Sequence, residues 1–237
     1  SCSFGKDSIA TILLALEHGE PLDEAVYCEV MFDNSTSGEV PEHQAFIYQA
    51  AIPALEKLGV PVRVLRSEKT YTSVFMGKVT RGPKKGMIRS FPVCGKCYVQ
   101  RDCKMHPIRQ YQKTLPSNTV QYIGIAKNEP QRLARLGGNQ VSLLEKYGYT
   151  EDDAKQLCKQ AGLLSPVYEF TDRGGCWFCP NAKLSELRHL YDHHPDLWQK
   201  MMRLQIVPGK VTEKFNRNQT FADIDAMFRE QDLQAAA

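Results

Sequence analysis

Apolar and polar residues alternate along the chain in blocks whose lengths predict helices and strands in turn. The apolar run 9–16 directly follows a short polar segment and predicts a helix. Three shorter blocks, 25–33, 60–65 and 120–125, are rich in β-branched and aromatic residues, which is typical of strands. Between the first two strands, residues 42–58 repeat apolar side chains at helical spacing. A strand, a helix and a strand in this order predict a parallel sheet with right-handed crossovers.

Toward the C-terminus the pattern becomes helical. Thr150 and Asp153 have the spacing of a capping box at a helix start. Residues 183–204 then repeat apolar side chains at helical spacing, with one proline inside the block. We therefore expect an α/β domain over 1–145 and a helical, metal-binding C-terminal subdomain over 146–237.

The composition is that of a globular protein with a mild charge. Of the 237 residues, 42% are hydrophobic, which is enough for a buried core, and the formal net charge is +3. This charge permits contact with nucleic acid but does not by itself argue for it. No apolar run reaches the roughly 18 residues of a membrane span and no signal peptide is visible, so we expect a cytoplasmic protein without membrane contact. Because the chain opens on a loop, we also expect that a leading strand has been left out.

The most informative segment is the loop that opens the first helix. Ser3–Ser8 reads S-F-G-K-D-S and leads directly into the apolar run. A helix start leaves backbone N–H groups unpaired and carries a partial positive charge. Gly5 lets the backbone approach a ligand, Lys6 adds a cation, and the two serines add hydroxyl donors. This combination predicts a phosphate-binding site. The alternative is an ordinary helix start capped by Asp7 or Ser8.

This segment resembles the PP-loop of the ATP pyrophosphatase and phosphoadenosine phosphosulfate (PAPS) reductase-like family, which commonly reads S-G-G-K-D-S. Phe4 stands where the family pattern has its first glycine. The resemblance implies a parallel, Rossmann-like sheet of the adenine nucleotide alpha hydrolase-like type. It also implies ATP with Mg²⁺ as the bound nucleotide, with Lys6 and Asp7 as catalytic residues. The implied binding residues of the loop are Ser3, Phe4, Gly5, Lys6, Asp7 and Ser8.

A second segment extends the resemblance. Proteins of this family often carry D-T-G-x-E-x-P-E at a strand end, beside the adenine and ribose. The matching residues here are Asp33, Gly38, Glu39, Pro41 and Glu42. The nucleotide-binding residues that the resemblance implies in this segment are Phe32, Asp33, Gly38 and Glu39. Taken without the resemblance, the segment is a polar loop with Glu42 in the first turn of a helix.

A third match follows the last predicted strand. The family often has G-x-R-x-D-E followed by an arginine; Gly124, Glu129 and Arg132 fit this pattern, whereas Ala126 replaces an arginine. The resemblance implies nucleotide binding by Gly124 and Arg132. The replaced arginine argues against the sulfated nucleotide of the family. The alternative for Glu129 and Arg132 is a surface turn with a salt-linked helix.

Cysteine spacing predicts a metal centre. Two C-x2-C pairs lie about eighty residues apart, and a further cysteine follows the first pair. The candidate ligands are Cys94, Cys97, Cys103, Cys176 and Cys179. Four thiolates could hold one zinc ion or a [4Fe-4S] cluster, and spacing alone does not decide between them. Trp177 and Phe178 would exclude water, and related reductases and sulfur-inserting enzymes carry clusters in comparable regions. We therefore expect an iron–sulfur cluster, with Zn²⁺ as the alternative.

Together these features favour a transferase that cleaves ATP to AMP and pyrophosphate, adenylates an acceptor, and uses its metal centre in sulfur transfer. The C-terminal E-C-G-L-H motif of PAPS reductases is absent, since no cysteine follows Cys179. Two alternatives stay open: a sulfonucleotide reductase that uses an external thiol, and a non-catalytic nucleotide-sensing regulatory module. The expected partners are the adenine nucleotide, an unidentified acceptor, and a protein or nucleic acid.

Overall fold

The computed structural model describes residues 1–92 and 97–236, and most of its regular structure is helical. The α-helices are α1 (Lys6–Glu17), α2 (Pro41–Phe46), α3 (Ile52–Lys57), α4 (Tyr71–Met76), α5 (His106–Gln112), α6 (Pro130–Leu133), α7 (Leu143–Lys146), α8 (Glu151–Gln160), α9 (Leu184–His193), α10 (Pro195–Gln205) and α11 (Phe221–Ala235). The strands are β1 (Ala25–Glu29), β2 (Val62–Arg66), β3 (Gln121–Tyr122) and β4 (Gln140–Val141). π-Helical segments span Ile47–Ala51 and Gln100–Met105, and a 3₁₀ turn spans Pro166–Glu169.

The chain forms two compact units that are built from interleaved segments. The first unit consists of Ser1–Glu29, Glu39–Arg66 and Met105–Gly174. The second unit consists of Val30–Gly38, Ser67–Lys104 and Gly175–Ala237. The expected division into 1–145 and 146–237 concerns successive parts of the chain and stays a prediction.

The strands lie in the first unit and pair in parallel. β1 pairs with β2 over five residues, with Ala25 opposite Val62. β3 pairs with β4 over two residues. Cys2 adds an isolated parallel bridge to Tyr27 and so lies beside β1.

The expected Rossmann-like parallel sheet, and with it the adenine nucleotide alpha hydrolase-like fold class, is wrong. Within the described ranges the strands form two separate two-stranded sheets instead of one continuous sheet. One cause is local: the N–H group of Ile125 donates to the carbonyl of Ile123 at 3.0 Å, which closes a tight turn and ends β3 early. A cavity of about 640 Å³ is lined by residues of both β1 and β3.

Helix α1 confirms the helix predicted from residues 9–16 and lies at the centre of the first unit's core. Ile9, Ala10, Leu14 and Ala15 are fully buried. The helix packs against α7 and α8. Complete burial of a side chain such as Ile9 or Leu14 contributes about 1.5–3 kcal/mol. The core therefore fixes the start of α1 and the loop before it.

Other predicted helices are also present, and their ends follow the sequence signals. The block 42–58 forms α2, a π-helical segment and α3, because Pro53 lacks the N–H group that a continuous α-helix needs. The capping box is confirmed: the Asp153 N–H donates to Thr150 Oγ1 at 3.2 Å, and the Thr150 N–H donates to the Asp153 carboxylate at 2.9 Å. The proline in the block 183–204 separates α9 from α10.

The second unit has an aromatic core. The ring centroid of Trp198 lies 4.2 Å from that of Phe221 and 5.7 Å from that of Phe228. The indole N–H of Trp198 donates to Asp225 Oδ1 at 2.7 Å, which satisfies its one polar group. A second group of rings surrounds the start of α4 and consists of Phe32, Tyr71, Trp177 and Phe178. These rings fix the segment that carries the second C-x2-C pair.

Candidate functional site

The loop before α1 makes a left-handed turn at Phe4. Phe4 has a φ of 57°, a conformation that residues other than glycine rarely adopt. Its side chain is fully buried and packs edge-on against Tyr27, with ring centroids 5.2 Å apart. Core packing therefore holds a strained backbone at the position where the PP-loop pattern has a glycine.

Hydroxyl and backbone groups close this loop on itself. The Ser3 N–H donates to Ser8 Oγ at 3.2 Å, and the Ser8 hydroxyl donates to the Gly5 carbonyl at 2.9 Å. Gly5 is the N-cap residue of α1 and supplies no side-chain cap. The Lys6 N–H donates instead to the Tyr168 hydroxyl at 2.9 Å. The alternative of an ordinary side-chain cap therefore does not hold.

Lys6 lies between two carboxylates at this helix start. Its Nζ lies 2.9 Å from Asp7 Oδ1 and 2.8 Å from Glu151 Oε1. Burial disfavours the charged amine, but the hydrogen bonds to Glu151 and Asp7 outweigh burial and raise the pKa of Lys6. The loop thus holds a cation whose side chain is only 10% exposed.

Asp7, the first ion-pair partner of Lys6, also feels the charges of two glutamates. Burial raises the pKa of the Asp7 carboxyl, the ion pair with Lys6 lowers it, and the charges of Glu151 and Glu129 raise it again. The net effect is a raised pKa. Carboxylate oxygens are the ligands that Mg²⁺ prefers, so this group has the chemistry that a Mg²⁺ ion brought by ATP would need.

Gly124 lies against the first turn of α1. A Cβ atom at this position would lie 2.8 Å from the carbonyl carbon of Asp7 and 2.9 Å from the backbone nitrogen of Ser8. Backbone atoms at the start of a buried helix cannot move aside, so only glycine fits here. Gly124 therefore lies beside the loop, whereas its contact with a nucleotide stays a prediction.

Arg132 lies on the surface of α6. It forms an ion pair with Glu129 three residues earlier, and its side chain is 52% exposed. The other carboxylate oxygen of Glu129 accepts the N–H of Ala126 at 3.1 Å. This is the salt-linked turn that the sequence left open as the alternative, and nucleotide binding by Arg132 stays a prediction.

A buried histidine that was not among the predicted site residues lies beside the loop. His43 is 2% exposed, with Nε2 3.2 Å from the Ser3 carbonyl oxygen and Nδ1 2.8 Å from Ser165 Oγ. A carbonyl oxygen can only accept, so Nε2 carries the proton. The only sequence signal was a histidine among the apolar positions of a helical block, which does not indicate a contact forty residues away.

Cys158 contacts the backbone at the start of α1. Its thiol donates to the Lys6 carbonyl at 3.1 Å, and the side chain is fully buried. Burial raises the pKa of Cys158 to about 12. This cysteine therefore has a structural role, and it is not a nucleophile at neutral pH.

The predicted second segment contains an ordered carboxylate at Asp33. Its carboxylate accepts the N–H groups of Ser35 at 2.9 Å and Thr36 at 2.7 Å. Lys200 Nζ lies 2.7 Å from the other oxygen. Partial burial opposes the charge, but Lys200 and these backbone groups hold the pKa of Asp33 well below its usual range. The position of this carboxylate is thus fixed within the second unit.

The other residues of this segment have structural environments of their own. Phe32 is buried, with its ring centroid 4.5 Å from that of Trp177. A Cβ atom at Gly38 would lie 2.5 Å from the Val30 carbonyl oxygen, so glycine is required. In the first unit, Glu39 accepts a hydrogen bond from the Tyr27 hydroxyl at 3.3 Å. Their contacts with a nucleotide stay predictions.

Four of the five predicted metal ligands lie in the described part of the second unit. Cys97 is exposed, Cys103 is fully buried, and Cys176 and Cys179 are half-buried thiols. Cys94 lies outside the described residues. The N–H of Cys179 donates to the Cys176 carbonyl at 3.0 Å, which makes a tight turn.

Tyr71 is a buried tyrosine near the second cysteine pair. Burial raises its pKa far above the usual value, and the charges of Tyr98 and of the three cysteines Cys97, Cys179 and Cys176 raise it further. The second cysteine pair is near this side chain, because Phe178, between Cys176 and Cys179 in the sequence, packs on the Tyr71 ring with centroids 4.1 Å apart. Soft thiolate donors of this kind suit zinc or an iron–sulfur cluster.

Histidines of the second unit offer another metal-binding geometry. One ring nitrogen of His189 and one of His194 lie within 4.8 Å of one another. The ring of His193 stacks on that of His189, with centroids 4.3 Å apart. Neutral imidazole is a common metal ligand. The described chain thus has potential metal ligands outside the predicted cysteine set, and the signal in the sequence was the H-x3-H-H spacing.

Comparison with known proteins found no match among protein-family models, curated proteins or solved structures. Among the helices of the described ranges, none combines the length and the apolar character that crossing a membrane requires.

Proposed function

We propose that this protein binds ATP through the loop Ser3–Ser8 and transfers the adenylyl group to an acceptor with release of pyrophosphate. The observation that carries the proposal is the geometry of the loop. A left-handed turn at Phe4 leads into a helix start without a side-chain cap, and Lys6 is held at that start. Helix N-termini of this kind bind phosphate because their N–H groups and the helix dipole both favour negative charge.

The proposed reaction is a displacement at phosphorus. A nucleophilic atom of the acceptor attacks the α-phosphorus of ATP and loses its proton to solvent. The bond from the α-phosphorus to the bridging oxygen breaks, and its electron pair leaves with pyrophosphate. The Lys6 amine and the positive end of the α1 dipole stabilise the negative charge that develops on this leaving group, whereas the Lys6 N–H keeps its bond to Tyr168. Loss of one such donor typically costs about 3 kcal/mol in the barrier.

ATP binding in this proposal exchanges one set of ion pairs for another. Lys6 is paired with Asp7 and Glu151, so it must turn from at least one of these carboxylates to reach a phosphate. The carboxylate that Lys6 releases then needs another cation, and the Mg²⁺ bound to ATP supplies it. Asp7 is the residue we assign to that ion, because burial and, after it, the charges of Glu151 and Glu129 raise its pKa, so that a second cation would favour the carboxylate.

The proposal includes a metal centre held by the cysteines of the second unit. Cys97, Cys176 and Cys179 would hold a [4Fe-4S] cluster or, as the alternative, Zn²⁺. The soft character of these donors and the buried hydroxyl of Tyr71 support the assignment. A cluster would supply a place to hold or deliver sulfur, whereas zinc would brace the fold.

The test is calorimetric titration with MgATP, together with pyrophosphate release with water as the acceptor. Lys6→Ala should weaken ATP binding at least tenfold, about 1.4 kcal/mol, and should slow pyrophosphate release further. Lys159→Ala, an exposed lysine on α8, is the matched control and should leave both unchanged. Unchanged ATP affinity in Lys6→Ala would refute the assignment of the loop. ATP binding without pyrophosphate release would favour the nucleotide-sensing module instead.

A further inference from the structure

Tyr71 occupies the first position of α4 and is completely buried. Its ring centroid lies 4.1 Å from that of Phe178 and 5.3 Å from that of Phe32. Its backbone N–H donates to the Met31 carbonyl at 2.8 Å. Ring and backbone are therefore fixed, and the hydroxyl cannot turn toward solvent.

The Tyr71 hydroxyl has no hydrogen-bond partner among the residues that the structure describes. Buried polar groups are nearly always paired, because a buried group that has given up water without a replacement is unfavourable. A neighbouring tyrosine shows the contrast: the Tyr98 hydroxyl lies 2.9 Å from the Ser90 carbonyl and 3.0 Å from the Phe91 carbonyl. The unpaired hydroxyl of Tyr71 therefore requires an explanation that Tyr98 does not.

The Tyr71 side chain lies beside the second cysteine pair. Besides burial, the charges of Tyr98 and of three cysteines act on its hydroxyl, and these cysteines are Cys97, Cys179 and Cys176. Phe178, which packs on the Tyr71 ring, lies between the two cysteines of the second pair. A metal-bound thiolate is a hydrogen-bond acceptor, and a fixed O–H donor beside it would be paired once the centre forms.

We propose that Tyr71 is a positioning residue of the cysteine metal centre, and that its hydroxyl donates a hydrogen bond to a sulfur atom of that centre. This inference rests on the metal part of the proposed function and is independent of ATP binding. Partners that hydrogen-bond to metal ligands orient those ligands and raise affinity for the metal. Hydrogen bonds to sulfur also raise the reduction potential of a cluster.

The proposal predicts effects of opposite sign in the metal-free and the metal-loaded protein. Tyr71→Phe removes only the hydroxyl. Without metal, the variant should melt at a higher temperature than the wild type, because an unpaired buried group has gone. The variant should also bind the metal about tenfold more weakly or worse, because it lacks the hydrogen bond to sulfur.

The experiment uses the full chain, purified without oxygen, with Co²⁺ as the spectroscopic probe of thiolate ligation. Tyr98→Phe is the matched control: its hydroxyl has carbonyl partners, so this change should lower the melting temperature of the metal-free protein. For Tyr71→Phe we expect a higher metal-free melting temperature, weaker Co²⁺ binding and, in reconstituted cluster protein, a more negative reduction potential.

Three results would overturn the proposal: a metal-free Tyr71→Phe protein destabilised like Tyr98→Phe, Co²⁺ affinity equal to the wild type, or a wild type without thiolate-to-cobalt absorption. The last result would also remove the metal centre from the proposed function. MgATP titration of the same samples separates the two proposals, because the loop Ser3–Ser8 should bind ATP whether or not Tyr71 contacts a metal centre.

Discussion

Glu151→Gln should tighten ATP binding rather than weaken it. Glu151 Oε1 lies 2.8 Å from Lys6 Nζ, so its charge competes with a phosphate for this cation. Glutamine keeps the length of the side chain but removes the charge. Asp7 still lies 2.9 Å from the Lys6 amine, so the lysine keeps a partner and stays at the helix start.

The size of the effect follows from the exposure of the ion pair. Two unit charges 2.8 Å apart attract one another by about 6 kcal/mol at an effective dielectric constant of about 20. However, the Glu151 side chain is 45% exposed and water replaces most of this attraction, so pairs of this kind are worth about 1 kcal/mol at most. We therefore expect ATP affinity to rise about fivefold. The free energy of unfolding should change by no more than about 1 kcal/mol.

Calorimetric titration with MgATP measures this change directly. Asp152→Asn is the matched control, because Asp152 is an exposed acid in the same first turn of α8 and contributes the same interaction with the helix dipole. The control should bind ATP as the wild type does. A tenfold loss of affinity in Glu151→Gln would refute the reasoning and would make Glu151 a ligand of Mg²⁺. Equal affinity would mean that phosphate does not draw Lys6 away from Glu151.

Two further predictions concern stability. Gly124→Ala should lower the free energy of unfolding by about 3 kcal/mol in chemical denaturation, because the new methyl group would overlap backbone atoms of α1. Gly137→Ala is the control, since Gly137 has open space around it. Equal losses in both variants would contradict this prediction. Asp33→Asn should cost about 2 kcal/mol at neutral pH through the lost charged hydrogen bonds with Lys200 and the turn. Because the folded pKa of Asp33 is lowered, its contribution is present above the unfolded pKa of about 3.9 and is lost as pH falls through the folded pKa. The denaturation curves of Asp33→Asn and the wild type should therefore converge in acid. Asp23→Asn, at an exposed position, is the control. A difference in stability between Asp33→Asn and the wild type that persists at the lowest pH would contradict the assignment.

The loop and the helices could be predicted because their signals are local. The start of α1 follows from the polar segment and the apolar run after it, and the capping box at Thr150 involves residues three apart. The turn at Phe4 is a partial exception. The sequence showed only that Phe4 stands where the family pattern has a glycine, and the packing of Phe4 on Tyr27 explains how phenylalanine holds a left-handed backbone there.

The sheet could not be predicted in the same way, because strand pairing is not local. Each apolar block satisfied the composition of a strand, yet the block 120–125 gives only the two residues of β3 before the turn at Ile125. Nothing in the composition of that block indicates where it ends or which neighbour it meets. The same limit applies to the site: Glu151 and Tyr168 contact Lys6 from 145 and 162 residues away, and neither contact has a sequence motif.

The carboxylate of Glu151, which is 145 residues from Lys6 in the sequence, changes what the loop motif alone would suggest. A lysine in a phosphate-binding loop is usually expected to have no counter-ion until an anion binds, but Lys6 already has Asp7 and Glu151 as counter-ions. These carboxylates stabilise a buried cation in the absence of nucleotide, since an unpaired buried amine would lose its proton instead. They also oppose the approach of a phosphate, so a nucleotide that brings its own cation has an advantage over one that does not. On the proposed function, ATP should therefore bind far more tightly with Mg²⁺ than without it, and Glu151→Gln should reduce this dependence.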